Sequence, residues 1–156
     1  MTLLAIDPGP VLSAWLVMVA GKVSHFDKTG NEAILHEIRR GACSTAHHVA
    51  IEMIASFGMP VGREVFETCV WIGRFMEAFG ADRCDRLTRI EIKSHLCHSA
   101  KAKDANIRQA LIDRLGPPGT KKAPGGTYGI SGDVWSALAV AVTWMDKYAA
   151  RQVNAV

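Results

Sequence analysis

The sequence predicts a mixed α/β fold in one domain that spans residues 1–156. The chain has 156 residues, the length of one ordinary domain, and its composition of 49% hydrophobic and 21% charged residues excludes a disordered chain. Strand-like apolar runs and helix-like amphipathic stretches alternate in the order βββαβαβαα. The longest apolar run, residues 11–20, is shorter than the roughly 20 residues that a membrane-spanning helix needs.

The first part of the chain contains four of the predicted strands. Residues 3–6, 13–19 and 23–26 are predicted to form an antiparallel meander, and residues 49–54 a fourth, buried strand. A helix between them begins at Asn31, which can cap it, and ends in a basic turn followed by glycine.

The second part of the chain contains three predicted helices and one strand. Apolar positions recur at spacings of three and four over residues 61–79, which predicts an amphipathic helix of about five turns that packs on a sheet or on a partner. Residues 87–92 are predicted to form a fifth strand. Asp104 is predicted to cap a helix that ends at residue 115, and residues 134–145 to form a last helix rich in small side chains.

Three acidic residues occur where a structural role is hard to find for all of them. Asp7 ends the first strand, Glu52 lies inside the fourth, and Asp133 precedes the last helix. Asp7 alone can be a turn residue and Asp133 a helix cap, but Glu52 lies within an apolar run and has no such explanation. A buried carboxylate without a partner costs folding free energy, so each should be paired or bound to a cation.

These acids converge if the first and fourth strands are neighbours and the last helix crosses them. Hard oxygen ligands of this kind suit Mg²⁺ or Mn²⁺. Two such ions, about 3.5–4 Å apart, can activate water and stabilise the leaving oxygen of a phosphodiester.

Three segments carry a specific family resemblance. LLAIDPG, VAIEMI and SGDVWSALAVAV resemble, in their order and separations, the RuvC family of Holliday junction resolvases. The stretches IEMIASFGMPVGREVFETCVWIGRF and HLCHSAKAKDANIRQALIDRLG look most like the RuvC-like proteins of bacteriophages. The resemblance spans nearly the whole chain. It implies an RNase H-like fold, with a mixed five-stranded sheet and helices on both faces, and a dimeric, metal-dependent endonuclease that nicks branched DNA by water attack.

The same resemblance assigns roles to the three acids. It implies that Asp7 bridges two metal ions, that Glu52 holds one of them, and that Asp133 holds the other from the last helix. Cellular members carry a second acid three residues further along this helix, where this chain has Ser136, a neutral and weak ligand. Either Asp133 supplies the whole contribution of the helix, which we favour, or Glu64 or Asp104 approaches. We therefore expect the second ion to be held more weakly.

Basic residues concentrate between Arg83 and Lys122, where ten Lys and Arg residues occur with four Asp and Glu. Such a surface suits DNA phosphates. The family places a lysine near the scissile phosphate, and we expect Lys103 in this catalytic role. DNA contacts are expected from Lys101, Lys103, Arg108, Lys121 and Lys122. The family's junction-inserting aromatic residue corresponds to Ala55 here, so the candidates for a wedge are Phe57 and Met59.

Several other interpretations stay open. An RNase H-like nuclease can act on forks, flaps or RNA–DNA hybrids, and the missing second acid is compatible with a non-catalytic or weakly catalytic protein that binds branched DNA. A purely structural α/β interaction domain is a third alternative. We expect a homodimer through the helix over residues 61–79, because two opposed strands of a junction need two active sites.

The expected location is the cytoplasm, that of the bacterial host if the protein is phage-encoded. The opening residues carry no basic residue before their apolar run, and the four cysteines, Cys43, Cys69, Cys84 and Cys97, form no C-x-x-C pair, so we expect buried free thiols. The segment GPPGTKK lacks the features of a phosphate-binding loop, so we expect no nucleotide cofactor.

Overall fold

The computed structural model describes residues 1–41, 45–56 and 58–154, which include one five-stranded sheet. The strands are β1 (Thr2–Asp7), β2 (Leu12–Val19), β3 (Lys22–Gly30), β4 (His48–Met53) and β5 (Cys84–Thr88). Their order across the sheet is β3-β2-β1-β4-β5. β2 is antiparallel to β1 and to β3, whereas β1, β4 and β5 are parallel. The predicted mixed sheet and the antiparallel meander are confirmed.

Helices cover both faces of this sheet, as predicted. They are α1 (Asn31–Arg39), α2 (Arg63–Phe79), α3 (Arg89–Cys97), α4 (Asp104–Leu115) and α5 (Val134–Asn154), and a short 3-10 helix (Ala81–Arg83) precedes β5. The buried side chains of α1 and α2 form one core with those of β1 and β4, and α3, α4 and α5 form a second core on the opposite face. The small side chains Ala137, Ala139 and Ala141 of α5 are fully buried.

The fifth strand lies earlier than predicted, and the helix that follows it was not predicted. β5 ends at Thr88, and residues 89–97 form α3, so the observed order is βββαβαβααα. A capping box explains the change. The backbone N–H of Glu91 donates to the Thr88 hydroxyl, and the backbone N–H of Thr88 donates to the Glu91 carboxylate, which begins a helix where the apolar pattern suggested a strand.

Two predicted helix caps are also wrong. Gly30 and Lys103 occupy the N-cap positions, and Asn31 and Asp104 are the first residues of their helices. The Asn31 side chain instead accepts a hydrogen bond from the Ser13 hydroxyl and donates one to the carbonyl of Gly9. β3 continues four residues beyond its predicted end.

The remaining global expectations concern membranes and thiols. Within residues 1–41, 45–56 and 58–154, no helix is long and apolar enough to cross a membrane. Cys69, Cys84 and Cys97 are free thiols, and they are half-buried rather than buried. Cys43 lies outside the described residues.

Candidate active site

Asp7 and Glu52 lie side by side where the parallel strands β1 and β4 end. Ile6 is paired with Ile51, so the next residue of each strand is an acid. Successive side chains of a strand point to opposite faces. Ile6 and Ile51 belong to the core under α1 and α2, so Asp7 and Glu52 point to the face that α5 covers. The predicted convergence of these two carboxylates is confirmed.

The turn after Asp7 is fixed by a small polar network. A side chain at Gly9 would place its Cβ 2.4 Å from the carbonyl oxygen of Leu12, so only glycine fits there. The Gly9 N–H donates to the Ser13 hydroxyl, which donates to the Asn31 amide oxygen at 2.6 Å. Ser13 and Asn31 are both buried, so this network holds the end of β1 in place.

Asp133 lies at the start of α5, and its carboxylate is paired with a lysine. Its backbone carbonyl accepts hydrogen bonds from the N–H groups of Ser136 and Ala137, which is the position of a helix N-cap. Nζ of Lys28 on β3 lies 2.5 Å from Oδ2 of Asp133, and the two side chains are 44% and 54% exposed. Asp133 is close enough to raise the pKa of Asp7, so all three predicted acids share one neighbourhood.

Arg89, the first residue of α3, lies at the centre of the site. Its Nη1 atom lies 3.3 Å from Oε2 of Glu52 and 3.4 Å from Oγ of Ser136, and its Nη2 atom lies 2.5 Å from Oδ1 of Asp104. Arg89, Ser136 and Asp104 line one open cleft together with Asp133. Asp104 therefore does approach the site, but it does so by binding Arg89, and its side chain is 81% exposed.

The two strand-end carboxylates are short of compensating positive charge. Burial, followed by the negative charges of Glu52 and Asp133, raises the pKa of Asp7 from its usual 3.8 to about 7, against smaller opposing effects of Arg89 and of a hydrogen bond with Ser136. Burial also raises the pKa of Glu52 above its usual value, although Arg89 and Lys93 act in the opposite direction. Clustered carboxylates with raised pKa values favour a bound cation.

The donor set fits a hard divalent cation only in part. In the described portion of the chain, no three His, Cys, Asp or Glu side chains form a ready-made metal site. Asp7 and Glu52 offer two adjacent carboxylates, and Mg²⁺ is commonly bound by one or two protein carboxylates with water and substrate oxygens completing its shell. Asp133 must leave Lys28 before it can become a third ligand.

The predicted DNA-contacting residues are exposed around this cleft and beyond it. Lys101, Lys103, Arg108, Lys121 and Lys122 are all exposed. Arg108 lies beside the cleft, 5.0 Å from the ring of Trp135. Lys121 and Lys122 lie in a small hairpin that is closed by the bridge between Gly119 and Pro124.

The other candidates were Lys103 for the scissile phosphate and Met59 and Phe57 for the wedge. Lys103 stands at the N-cap of α4, and Lys93 rather than Lys103 acts on the pKa of Glu52. Met59 is 71% exposed. Phe57 lies outside the described residues.

Two residues of the site were missed by sequence reasoning. Arg89 was assigned to the interior of a strand, although the Thr88-x-x-Glu91 capping box signals a helix that begins with Arg89. Lys28 lay beyond the predicted end of β3. It reaches Asp133 across 105 residues of sequence, a contact that no local pattern can signal.

Comparison with solved structures shows a RuvC-like fold. The structure of Thermus thermophilus RuvC aligns with a TM-score of 0.65 and 18% sequence identity, over 92% of this chain and 92% of that chain. T. thermophilus RuvC in complex with a Holliday junction substrate aligns with a TM-score of 0.68 and 19% identity over the same shares. No protein-family model and no curated protein matches the sequence. The predicted RNase H-like α/β fold is confirmed.

Proposed function

We propose that this protein is a metal-dependent, structure-selective endonuclease that hydrolyses phosphodiester bonds in Holliday junctions and related branched DNA. The observation that carries the proposal is the pair of half-buried carboxylates, Asp7 and Glu52, at the ends of two neighbouring parallel strands. Their raised pKa values indicate a site that lacks positive charge. The pair lies in a fold shared with a protein solved on a Holliday junction substrate.

Each acid has a defined part in this proposal. Asp7 and Glu52 hold the metal ion from the sheet, and Asp133 joins them from the start of α5. When bound, Mg²⁺ or Mn²⁺ activates a water and stabilises the leaving oxygen of the phosphodiester. Asp7 must be ionised to bind a cation, so the pKa of about 7 ties metal binding to pH in the neutral range.

The exposed basic residues supply the DNA-binding surface. Arg108 is the best placed, because it lies beside the cleft and over Trp135. Lys103 and Lys101 precede α4, whose first residue Asp104 also lines the cleft, and we propose that Lys103 approaches the scissile phosphate. Lys121 and Lys122 lie in the loop before α5 and are proposed to contact the DNA backbone. Phosphate contacts of this kind weaken as salt rises.

We propose that the protein is a homodimer, but through a different row of α2 than the sequence suggested. The predicted apolar stripe supplies Thr68, Ile72 and Phe79, which are buried in this chain's own core. Another row, Phe66 and Val70, is 62% and 57% exposed and one helical turn apart. Light scattering should give a dimer for the unmodified protein and a monomer for Phe66→Glu. Lys or Glu substitutions elsewhere on exposed helix faces should leave the dimer intact.

The sequence resemblance supports a narrower statement about origin. We propose that the protein belongs to the bacteriophage-encoded group of RuvC-like proteins and acts in the cytoplasm of the bacterial host.

Cleavage of labelled synthetic DNA tests the proposed activity. A four-way junction, a three-way fork and a linear duplex built from the same strands are incubated with the protein and Mg²⁺ or Mn²⁺. Paired symmetric nicks in the junction, with the duplex intact, are the expected result. Equal cutting of the fork or of a hybrid would instead favour a broader RNase H-like nuclease.

One observation favours a second candidate function, a branched-DNA-binding protein with little or no catalysis. Ser136 is neutral, and Arg89 lies 3.4 Å from it, beside Glu52. Tight junction binding with no cutting under either metal would support this candidate. Both candidate functions therefore predict binding to branched DNA, but only the endonuclease predicts cleavage.

A further inference from the structure

Arg89 is held in the site by three acceptors from three different elements. Its guanidinium contacts Glu52 on β4, Ser136 on α5 and Asp104 on α4. The side chain is 27% exposed, and the residue is the first of α3, whose start is fixed by the capping box of Thr88 and Glu91. A long, flexible side chain held at both guanidinium ends has a fixed position. Arg89 therefore gives the site a positive charge in a fixed position.

Arg89 is the cation that both strand-end carboxylates share. It binds Glu52 directly, and its charge also acts on Asp7. Arg89 binds Asp104 as well, whereas Asp133 is paired with Lys28. A positive charge of the protein therefore already lies beside Asp7 and Glu52.

The surroundings of Ser136 lack the carboxylate that a second metal position commonly has. A pair of ions needs oxygen ligands on both sides, and carboxylates are the usual ones. The side chain one turn after Asp133 on α5 is the neutral Ser136, whose hydroxyl lies 3.4 Å from Nη1 of Arg89 and forms a hydrogen bond with Asp7. An ion beside Ser136 would meet the guanidinium charge directly.

We infer that Arg89 takes the place of a second metal ion, so that each chain binds one divalent cation at Asp7, Glu52 and Asp133. The inference rests on the proposed function, and it specifies that the fixed guanidinium supplies the second positive charge beside the phosphate. Ser136 and Arg89 thus act as a matched pair. A neutral residue on α5 accommodates the arginine of α3.

The stoichiometry of Mn²⁺ binding, followed by the EPR signal of the free ion, tests this inference without DNA. We expect one Mn²⁺ per chain for the unmodified protein. The double variant Arg89→Ala, Ser136→Asp should bind two, because it removes the guanidinium and supplies a carboxylate in its place. Two ions per chain in the unmodified protein would overturn the inference.

The single variant Arg89→Ala separates this role from a structural one. Loss of the nearby positive charge should raise Mn²⁺ affinity at least about tenfold. Junction cleavage should fall at least about 100-fold, because the charge that stabilises the transition state is gone. If Arg89 is only structural, its loss should lower both Mn²⁺ affinity and cleavage. If it is inhibitory, its loss should raise both. Either pattern overturns the inference. Arg89→Lys should retain more of the activity than Arg89→Ala.

A matched control variant and a separate cleavage assay distinguish failure of this inference from failure of the proposed function. Arg86→Ala removes an exposed arginine of β5, next to Leu87, and should change neither affinity nor cleavage. If the unmodified protein binds one Mn²⁺ but cuts no branched DNA, the proposed function fails while the one-ion site stands. Absence of Mn²⁺ binding would overturn both.

Discussion

Acidic residues near the start of α5 and in its second half lie in opposite electrostatic environments. Near the start of the helix, burial and neighbouring carboxylates raise the pKa of Asp7 to about 7. Further along the helix, burial also acts on Asp146, but hydrogen bonds and charge from Arg114 and His95 outweigh it and lower the pKa. Nε2 of His95 lies 2.6 Å from Oδ2 of Asp146, and both guanidinium ends of Arg114 donate to the same carboxylate.

The comparison separates an acid that has a full set of partners from two acids that do not. Asp146 has all the partners that a half-buried carboxylate needs, and it ties α5 to α3 and α4. Asp7 and Glu52 share Arg89, which also binds Asp104, and the added effects of Lys93 on Glu52 and of Ser136 on Asp7 still leave both pKa values raised. Two half-buried carboxylates with too little positive charge are what the proposed cation site requires.

The largest expected effect is on catalysis. Asp7→Asn keeps the size of the side chain and removes its charge, so junction cleavage should fall by about 1000-fold or more, because a bound metal contributes several kcal/mol to transition-state stabilisation. Binding to the junction should persist. Asp146→Asn is the matched control and should cut at the normal rate, measured with the same labelled four-way junction. Equal losses in both variants would remove the distinction between Asp7 and Asp146.

The next effect is on the free energy of unfolding, which should rise when Asp7 is replaced and fall when Asp146 is replaced. Because the folded pKa of Asp7 is raised, the folded state binds more protons than the unfolded state between about pH 4 and pH 7, so stability falls as pH rises through this range. Without divalent ions, Asp7→Asn should raise the free energy of unfolding at pH 8 by up to about 4 kcal/mol. Urea denaturation at pH 5 and pH 8 measures this loss of stability, which should become smaller in the variant without vanishing, because Glu52, whose pKa is also raised, still contributes.

Asp146→Asn should instead destabilise the fold. The lowered pKa of Asp146 gives stability that is present above its usual value of 3.8 and is lost as pH falls through the lowered value. Removing the charge leaves Arg114 and His95 without their partner, at a cost of about 1–3 kcal/mol near pH 7. The same urea titrations test this. An Asp146→Asn protein as stable as the unmodified one would contradict the structural role.

Divalent ions should stabilise the unmodified protein selectively. Mg²⁺ at ten times its Kd adds about 1.4 kcal/mol, which corresponds to a rise in Tm of roughly 3–6 °C. Asp7→Asn should lose this rise, while Asp146→Asn should keep it. Calorimetry with MgCl₂, with NaCl at equal ionic strength as the control, distinguishes binding from general screening.

The smallest effect concerns the ion pair between Lys28 and Asp133. Lys28→Met frees Asp133 for the metal, so Mg²⁺ affinity should rise several-fold, while Tm changes little because both side chains are largely exposed. The calorimetric titration that gives the Kd of the unmodified protein measures it. A weaker affinity in the variant would show that Lys28 positions Asp133 for binding instead of competing for it.

The sequence was sufficient to identify the three acids of the candidate site, but not the two cations that pair with them. Glu52 stands out in its apolar run, and Asp7 and Asp133 lie at element ends, so local pattern identified all three. Convergence of the acids was expected only if the first and fourth strands are neighbours, and the register of Ile6 with Ile51 shows that they are.

Arg89 and Lys28 belong to the part that local pattern could not supply. Apolar neighbours made Arg89 look like a strand residue, and the competing capping box that begins α3 was overlooked. Lys28, the partner of Asp133, could not be identified from local pattern either, because β3 and the start of α5 come into contact only in the folded chain. Similarly, the row of α2 left exposed could be distinguished from the buried row only once α2 was packed against the sheet.

A titration of the side-chain carboxyl carbons by ¹³C NMR, with and without Mg²⁺, tests the central claim most directly. Without metal, Asp7 should titrate near 7, and Asp146 below its usual 3.8. Saturating Mg²⁺ should move the titration of Asp7 well down and leave that of Asp146 unchanged. An Asp7 that titrates near 4 without metal, or that does not respond to Mg²⁺ or Mn²⁺, would contradict the claim that these carboxylates form a cation site.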